Sequence, residues 1–450
     1  MPAQLLDPVP KLKRILKRLS LVLVGLLSGF ALLEVGMIVL EPYVLQGFYM
    51  YDRELGFRVR PNTASSNEFG FNDYDYPLEK PDDTYRILFL GDSFSWSCGR
   101  DDNYVGVLRE LVKERFPERK IDVINAGYPM THTGEQLDLL ERFGLEYQPD
   151  LVVLGFFIGN DFLDGGPYRK RIVVNETFLD IDKRRETVLF GYPIVARSRV
   201  FEFIRQQIRI LREEVSVAEE SSGLKLVEPE RPRADRRRTS GQWAEPRVSS
   251  SSAARPAASP LPADSASGFP GAPTLDEVRA YLEELAFHCR EDDQKPMFTR
   301  ETQLGLIERQ LLMCVADPKP EGFLEPRFEY ILGKVDEMAN LLSERGIKFL
   351  VAMHPANFQV DPELAGTVME RSGRAADEYD LLRPQTLLAA HLDQRDVPYI
   401  DLIEPLKEAQ QIRPTYLPMD THWNYYGNVV AAHAVFLHIL YPLTVELDRK

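Results

Sequence analysis

Hydrophobic residues run along this chain in two rhythms. Short unbroken apolar runs alternate with longer stretches whose apolar positions return at helical spacing. Arg86-Ile87-Leu88-Phe89-Leu90 ends at a glycine, as a strand buried on both faces does. Asn103 to Phe116 predicts a helix, and Ile121-Asp122-Val123-Ile124 a second strand. Gly134 to Phe143 predicts a helix, and Leu151 to Ile158, introduced by Pro149-Asp150, a third strand. Further on, Thr274 with Glu277 three residues later reads as a capping box. Helical patterns follow at Leu275 to His288, Gln303 to Cys314 and Phe328 to Arg345. Ile347 to Met353 and Tyr399 to Leu402 read as the fourth and fifth strands, and Tyr426 to Ile439 as a last helix. This alternation predicts an α/β fold, a mainly parallel five-stranded sheet covered on both faces as a three-layer α/β/α sandwich. Such sheets bind ligands at the carboxyl ends of their strands.

Two segments break the rhythm. Leu19 to Leu40 is apolar throughout except for Glu34. Its length at the helical rise is roughly 33 Å, about a bilayer core. Lys11, Lys13, Arg14, Lys17 and Arg18 precede it, and Glu41, Asp52 and Glu54 follow. The positive-inside rule then predicts a cytoplasmic N-terminus with the rest of the chain outside. No small-residue cleavage site follows the apolar core, which favours an anchor over a cleaved signal. Glu34 is costly in lipid, and either the outer interface or a helix partner would accommodate it. The second break is residues 213–273, with Arg236-Arg237-Arg238, a serine run at Ser249 to Ser252, and few large apolar residues. That composition predicts a disordered insertion. The expected organisation is a basic tail at 1–18, a transmembrane anchor at 19–40 and a stalk at 41–83. The first part of the α/β domain is 84–212, with an amphipathic helix around Phe201 to Arg212. The disordered insertion is 213–273, a helical insertion 274–345, and the second part of the domain 346–450.

Composition narrows the function. A net charge of −15 over 450 residues argues against a nucleic-acid partner. His288, His391, His433 and His438 show no ligand spacing, so neither a metal nor a cofactor is predicted. Cys289 and Cys314 share the helical insertion, and outside the cytoplasm a disulfide between them is one open alternative.

Candidate chemistry lies in the turns. Gly91-Asp92-Ser93-Phe94-Ser95 follows the first strand, Asn125-Ala126-Gly127 the second and Gly159-Asn160-Asp161 the third. Asp420-Thr421-His422-Trp423 stands near the C-terminus. Ser93 alone would fit a helix cap. With His422 as a base and Asp420 to orient it, Ser93 reads as an activated nucleophile. Gly127 would let a backbone amide approach a ligand. Asp92 and Asp161 read as turn or cap residues. His132, His354 and Trp423 are candidates to touch substrate, against the competing readings of a polar loop and of core packing.

These four blocks, in this order, resemble those of the SGNH, or GDSL, hydrolase superfamily. The run Leu55 to Asn62 with Asn67 to Phe71 is similar to the prelude of its membrane-anchored bacterial members. The resemblance covers roughly residues 50–165 and 345–440. It implies a flavodoxin-like SGNH hydrolase fold, a Ser93–His422–Asp420 triad, and an oxyanion hole built from Ser93, Gly127 and Asn160. The superfamily usually spaces the aspartate three residues before the histidine. Here the spacing is two, which is similar to the alginate O-acetyltransferase branch. Three functions are therefore weighed. The first is an ester hydrolase acting on an acyl ester of the cell envelope, for which an envelope glycan is a natural carrier. The second is a periplasmic polysaccharide O-acyltransferase with the same triad. The third is a catalytically idle, membrane-tethered carbohydrate-binding or assembly protein.

Overall fold

The computed structural model describes residues 9–44, 47–63, 66–174, 177–189, 192–195, 198–205, 207–208, 275–290, 298–316 and 322–449. The expected disordered insertion at 213–273 lies outside the described residues. The chain divides into two units, residues 1–58 with 170–240, and 59–169 with 241–450.

The larger unit holds the predicted sheet. Its strands are β1 (Thr84–Leu90), β2 (Lys120–Asn125), β3 (Leu151–Phe157), β4 (Lys348–His354) and β5 (Tyr399–Asp401). They lie in the order β5-β4-β3-β1-β2, every neighbouring pair parallel. That is the 2-1-3-4-5 order of a flavodoxin-like sheet, with its topological switch point between β1 and β3. All seven residues of β1 and all seven of β3 are buried, which explains their unbroken apolar runs. Phe89 stands beside both Asn125 and Val153, and Phe157 beside His354, so β3 and β4 end together, beyond the carboxyl ends of β1 and β2.

Alternate side chains of these strands feed two layers. Ile87, Phe89, Val153 and Ala352 join one core with Val105 and Leu108 of the helix Tyr104–Arg115 and Val435 of the helix Tyr425–Arg449. On the opposite face Phe156 packs at 5.0 Å on Phe162, which meets Phe328 of the helix Glu325–Ser343 at 4.3 Å. Each such large side chain contributes about 1.5–3 kcal/mol by its burial. Gly155 in β3 is a packing requirement. A Cβ there would lie 2.7 Å from His354 Cε1 and 2.8 Å from the Tyr104 hydroxyl.

Residues before β1 pack on this unit through polar contacts. Asn72 Nδ2 donates to the Cys98 carbonyl at 3.1 Å. Asp73 pairs with Arg109, and its other oxygen accepts the Asn125 amide at 2.6 Å. The prelude thus grips the ends of two elements that lead into the candidate site.

The smaller unit contains the helix Val9–Val44. Its stretch Lys13–Leu40 is long and apolar enough to cross a membrane, the one such helix among the described residues. Short two-stranded ribbons follow, including Thr187–Leu189 with Tyr192–Ile194. Tyr49, Phe57 and Phe178 pack edge to face there, with centroids 4.7–5.7 Å apart.

Candidate active site

The chain leaves β1 through Gly91 into a turn that Asp92 organises. Asp92 Oδ1 accepts the Phe94 amide at 2.9 Å and so caps the short helix Ser93–Trp96. Ser93 is its first residue, where the amide has no intrahelical acceptor. Its hydroxyl lies 2.7 Å from His422 Nε2.

His422 arrives on a tight loop. Tyr416 and Trp423 bridge across it, and the Leu417 amide donates to the His422 carbonyl at 3.0 Å. The two-residue spacing works because Asp420 folds back on its own backbone. Its Oδ1 accepts the Thr421 amide at 2.6 Å and the His422 amide at 3.2 Å, and lies 2.7 Å from His422 Nδ1. One oxygen thus shapes the turn and orients the ring. The Asp420 carbonyl is held in turn by Gln303 Nε2 at 2.8 Å and Asn357 Nδ2 at 3.1 Å.

Burial and charge compete at this relay. Burial works against a charged imidazole, but Asp420's charge and hydrogen bond, with Asp92's charge, outweigh it and hold His422 above the ordinary histidine value. Burial also opposes the Asp420 charge, yet His422 and the two backbone amides hold that carboxyl below its usual range. Burial pushes Asp92 up to about 6, opposed by the Phe94 amide, the His422 charge and the Asn160 side chain. Burial and the neighbouring Asp92 charge raise Asp161 well above a normal carboxyl. Asp161 Oδ2 accepts the Phe157 amide at 3.1 Å, a turn role.

The remaining predicted residues are placed as follows. Asn160 precedes the short helix Asp161–Asp164 just beyond β3. The Gly127 amide donates to Asn125 Oδ1 at 3.0 Å, and a Cβ at Gly127 would collide with Ser95. The glycine is thus required by close packing against the helix Ser93–Trp96. His132 Nδ1 accepts the Gly134 amide at 3.0 Å and caps the helix Thr133–Arg142. His354 and Trp423 are wholly enclosed, their rings 4.8 Å apart, and Trp423 lies 4.7 Å from Phe94. Burial pushes His354 down to about 3, so it stays neutral. Among the described residues no group of three or more His, Cys, Asp or Glu side chains is placed to hold a metal. Cys289 and Cys314 are buried and not joined to each other.

Sequence reasoning missed Gln303, Asn357 and the side chain of Asn125. Asn125 Nδ2 donates to the Ser95 carbonyl at 2.7 Å while its oxygen holds Gly127, tying the second turn to the first. Asn125 heads the glycine block, so that signal was available. Gln303 and Asn357 carry no local signature.

Comparison with known proteins places this arrangement. Residues 320–447 match the family described as the SGNH hydrolase-like domain of the acetyltransferase AlgX. No curated protein matches the chain. Among solved structures, a GDSL-like lipase from Bacteroides thetaiotaomicron is 9% identical, covering 79% of this chain and 88% of its own, at a TM-score of 0.30. A lipase/acylhydrolase from Enterococcus faecalis is 13% identical, covering 79% and 95%, at a TM-score of 0.29. A two-domain esterase active on acetylated mannans is 13% identical, covering 82% and 50%, at a TM-score of 0.29. Scores this low carry no weight for fold or function. The family match and the sheet topology bear out the resemblance: the fold is that of the SGNH hydrolases, with an AlgX-like C-terminal part. The matched stretch is the part of the chain that carries Asp420 and His422.

Proposed function

We propose that the protein carries out Ser93-dependent acyl-ester chemistry outside the cytoplasm, tethered by the helix that contains Lys13–Leu40. The observation that carries this reading is the continuous relay from Asp420 through His422 to Ser93, 2.7 Å at each step. In the first half-reaction Ser93 Oγ attacks the acyl carbonyl while His422 Nε2 takes its proton. The oxyanion is met by the Ser93 amide and the Asn160 side chain. Gly127 joins this hole by shaping its floor, and its amide by shifting from Asn125 Oδ1 as charge develops. The acyl–oxygen bond breaks, and the alkoxide leaves with the proton from His422. In the second half-reaction water or another hydroxyl attacks the acyl-enzyme, and Ser93 recovers its proton.

Water gives an ester hydrolase; a glycan hydroxyl gives an O-acyltransferase. Two observations favour transfer as the second reading: the match to the AlgX acetyltransferase domain and the short Asp420–His422 spacing. We place His354 and Trp423 behind the nucleophile, where they support Phe94. Mass spectrometry after an acyl donor is added tests the shared step. An acyl adduct on Ser93, absent in Ser93→Ala, is expected; an adduct-free wild type that also fails to cleave aryl acetates would sink it. Adding oligosaccharide acceptors then separates acylated sugar from free acid.

A further inference from the structure

Glu34 is the only charge in the apolar run Leu19–Leu40, and the smaller unit gives it three donors. Ser198 Oγ donates to one carboxylate oxygen, and the Val200 amide reaches the same oxygen at 3.3 Å. The Arg199 amide donates to the other oxygen at 2.8 Å. These groups open a helical stretch, residues 199–205 and 207–208. Ser198 closes its start as well, since its Oγ accepts the Phe201 amide at 3.1 Å. A carboxylate at a helix N-terminus satisfies orphan amides and meets the positive end of the helix dipole. One turn before Glu34, the Phe30 ring lies 5.7 Å from that of Phe201.

The face left over is apolar. Phe201, Ile204 and Ile208 are 65%, 46% and 45% exposed, and their spacing puts them along one side of the helix. Leu32, Leu33 and Val35, beside Glu34 on the long helix, are also exposed. The short helix therefore extends the apolar surface of the candidate span. Glu34 precedes Leu40 by about 9 Å at the helical rise. Interfacial amphipathic helices bury their apolar faces to about 5–10 Å.

We propose that the helical residues 199–205 and 207–208 lie in the membrane interface, docked on the span through the Glu34 carboxylate, with their apolar face taking phospholipid acyl chains. The proposal rests on the reading of Lys13–Leu40 as a membrane anchor. It explains how one carboxylate is tolerated in the run: its partners are backbone amides and a hydroxyl that travel with it.

The test uses the full chain in phosphatidylcholine–phosphatidylglycerol nanodiscs, with a diazirine-bearing phenylalanine in place of Leu26, Phe201, Ile208 or Arg184 in turn. Irradiation and mass spectrometry read lipid adducts. Adducts at positions 26, 201 and 208, and none at 184, are expected. Adducts at 26 but not at 201 or 208 would overturn the interfacial helix and leave the anchor standing. No adduct at 26 would remove the anchor, and this proposal with it. In a Glu34→Leu background the yield at 201 and 208 should fall about fivefold while that at 26 holds, because the cap is lost. Unchanged yields at 201 and 208 would overturn the docking role of Glu34.

Discussion

His422 and His354 both stand at the carboxyl edge of the sheet, and both are buried against Phe94. His422 meets a carboxylate on one nitrogen and a hydroxyl on the other. His354 finds no protein partner for either nitrogen among the described residues and is surrounded by the rings of Phe94, Tyr104 and Trp423. Burial drives both toward the neutral form, yet only His354 goes there, to about 3. His422 moves the other way because Asp420 outweighs burial. Position and enclosure therefore do not make a base. A histidine that must take a proton at each turnover needs a fixed charge to receive the imidazolium, and in the proposed mechanism Asp420 is that charge.

The comparison breaks most sharply at His422 itself. His422→Ala should lower kcat by about 10⁶, the cost seen when one member of a serine triad is removed. Steady-state rates with an aryl ester would check this, and a loss below tenfold would end the assignment. Asp420→Asn should cost about 10⁴, since the ring keeps its place and loses the charge and tautomer control. It also gives a sign that can be read by titration. His422 must be neutral to act, and its raised value puts the acid limb of kcat/KM above 6.5 in the wild type. Without the Asp420 charge and hydrogen bond only the weaker pull of Asp92 opposes burial, so the limb should move down, toward the behaviour of His354. A limb that stayed put would show that Asp420 does not set the His422 proton affinity.

A smaller effect is expected one step out. Gln303→Leu removes one of two donors on the Asp420 carbonyl in a site where the glutamine is buried. A hydrogen bond of about 1–1.5 kcal/mol corresponds to roughly tenfold in rate. The loss should fall on kcat with KM unchanged, because the residue acts through the triad loop. A change confined to KM, or to thermal stability alone, would leave Gln303 a merely structural residue.

The legibility of these parts from sequence follows their physics. The five strands could be read because parallel strands covered on both sides need unbroken apolar runs, as β1 and β3 show. The turns after β1, β2 and β3 could be read because close approach and capping restrict them to Gly, Asp, Ser and Asn. Asp420 was found by its nearness to His422, but why a two-residue spacing works was hidden. It depends on Oδ1 bonding two amides of its own turn as well as the ring. His132 reads equally as a pocket residue or a polar loop histidine, because an imidazole that caps a helix leaves no composition signal. Gln303 and Asn357 were invisible for a related reason. They reach Asp420 from 117 and 63 residues away, and side-chain amides have no periodicity to betray them. The ribbons at 169–194 went unread because their pairing is short and their side chains are mostly half-exposed, which blurs the alternation.

The smallest expected effect is the control that gives the comparison its meaning. His354→Phe keeps an aromatic ring against Phe94, Tyr104 and Trp423, in a place made by Gly155. His354 is neutral at every pH where His422 titrates, since its own value lies near 3. The substitution thus removes no charge and no proton acceptor from the relay. The acid limb of kcat/KM should stay where it was, and kcat should change by less than about threefold, under 1 kcal/mol of barrier. If the limb moved, His354 would be in electrostatic contact with His422, and the buried histidine behind the nucleophile would join the mechanism. If kcat collapsed with the limb unmoved, the ring would be holding Phe94, and through it Ser93, in place. Either result would redraw the line between the two histidines at a distance of one aromatic ring.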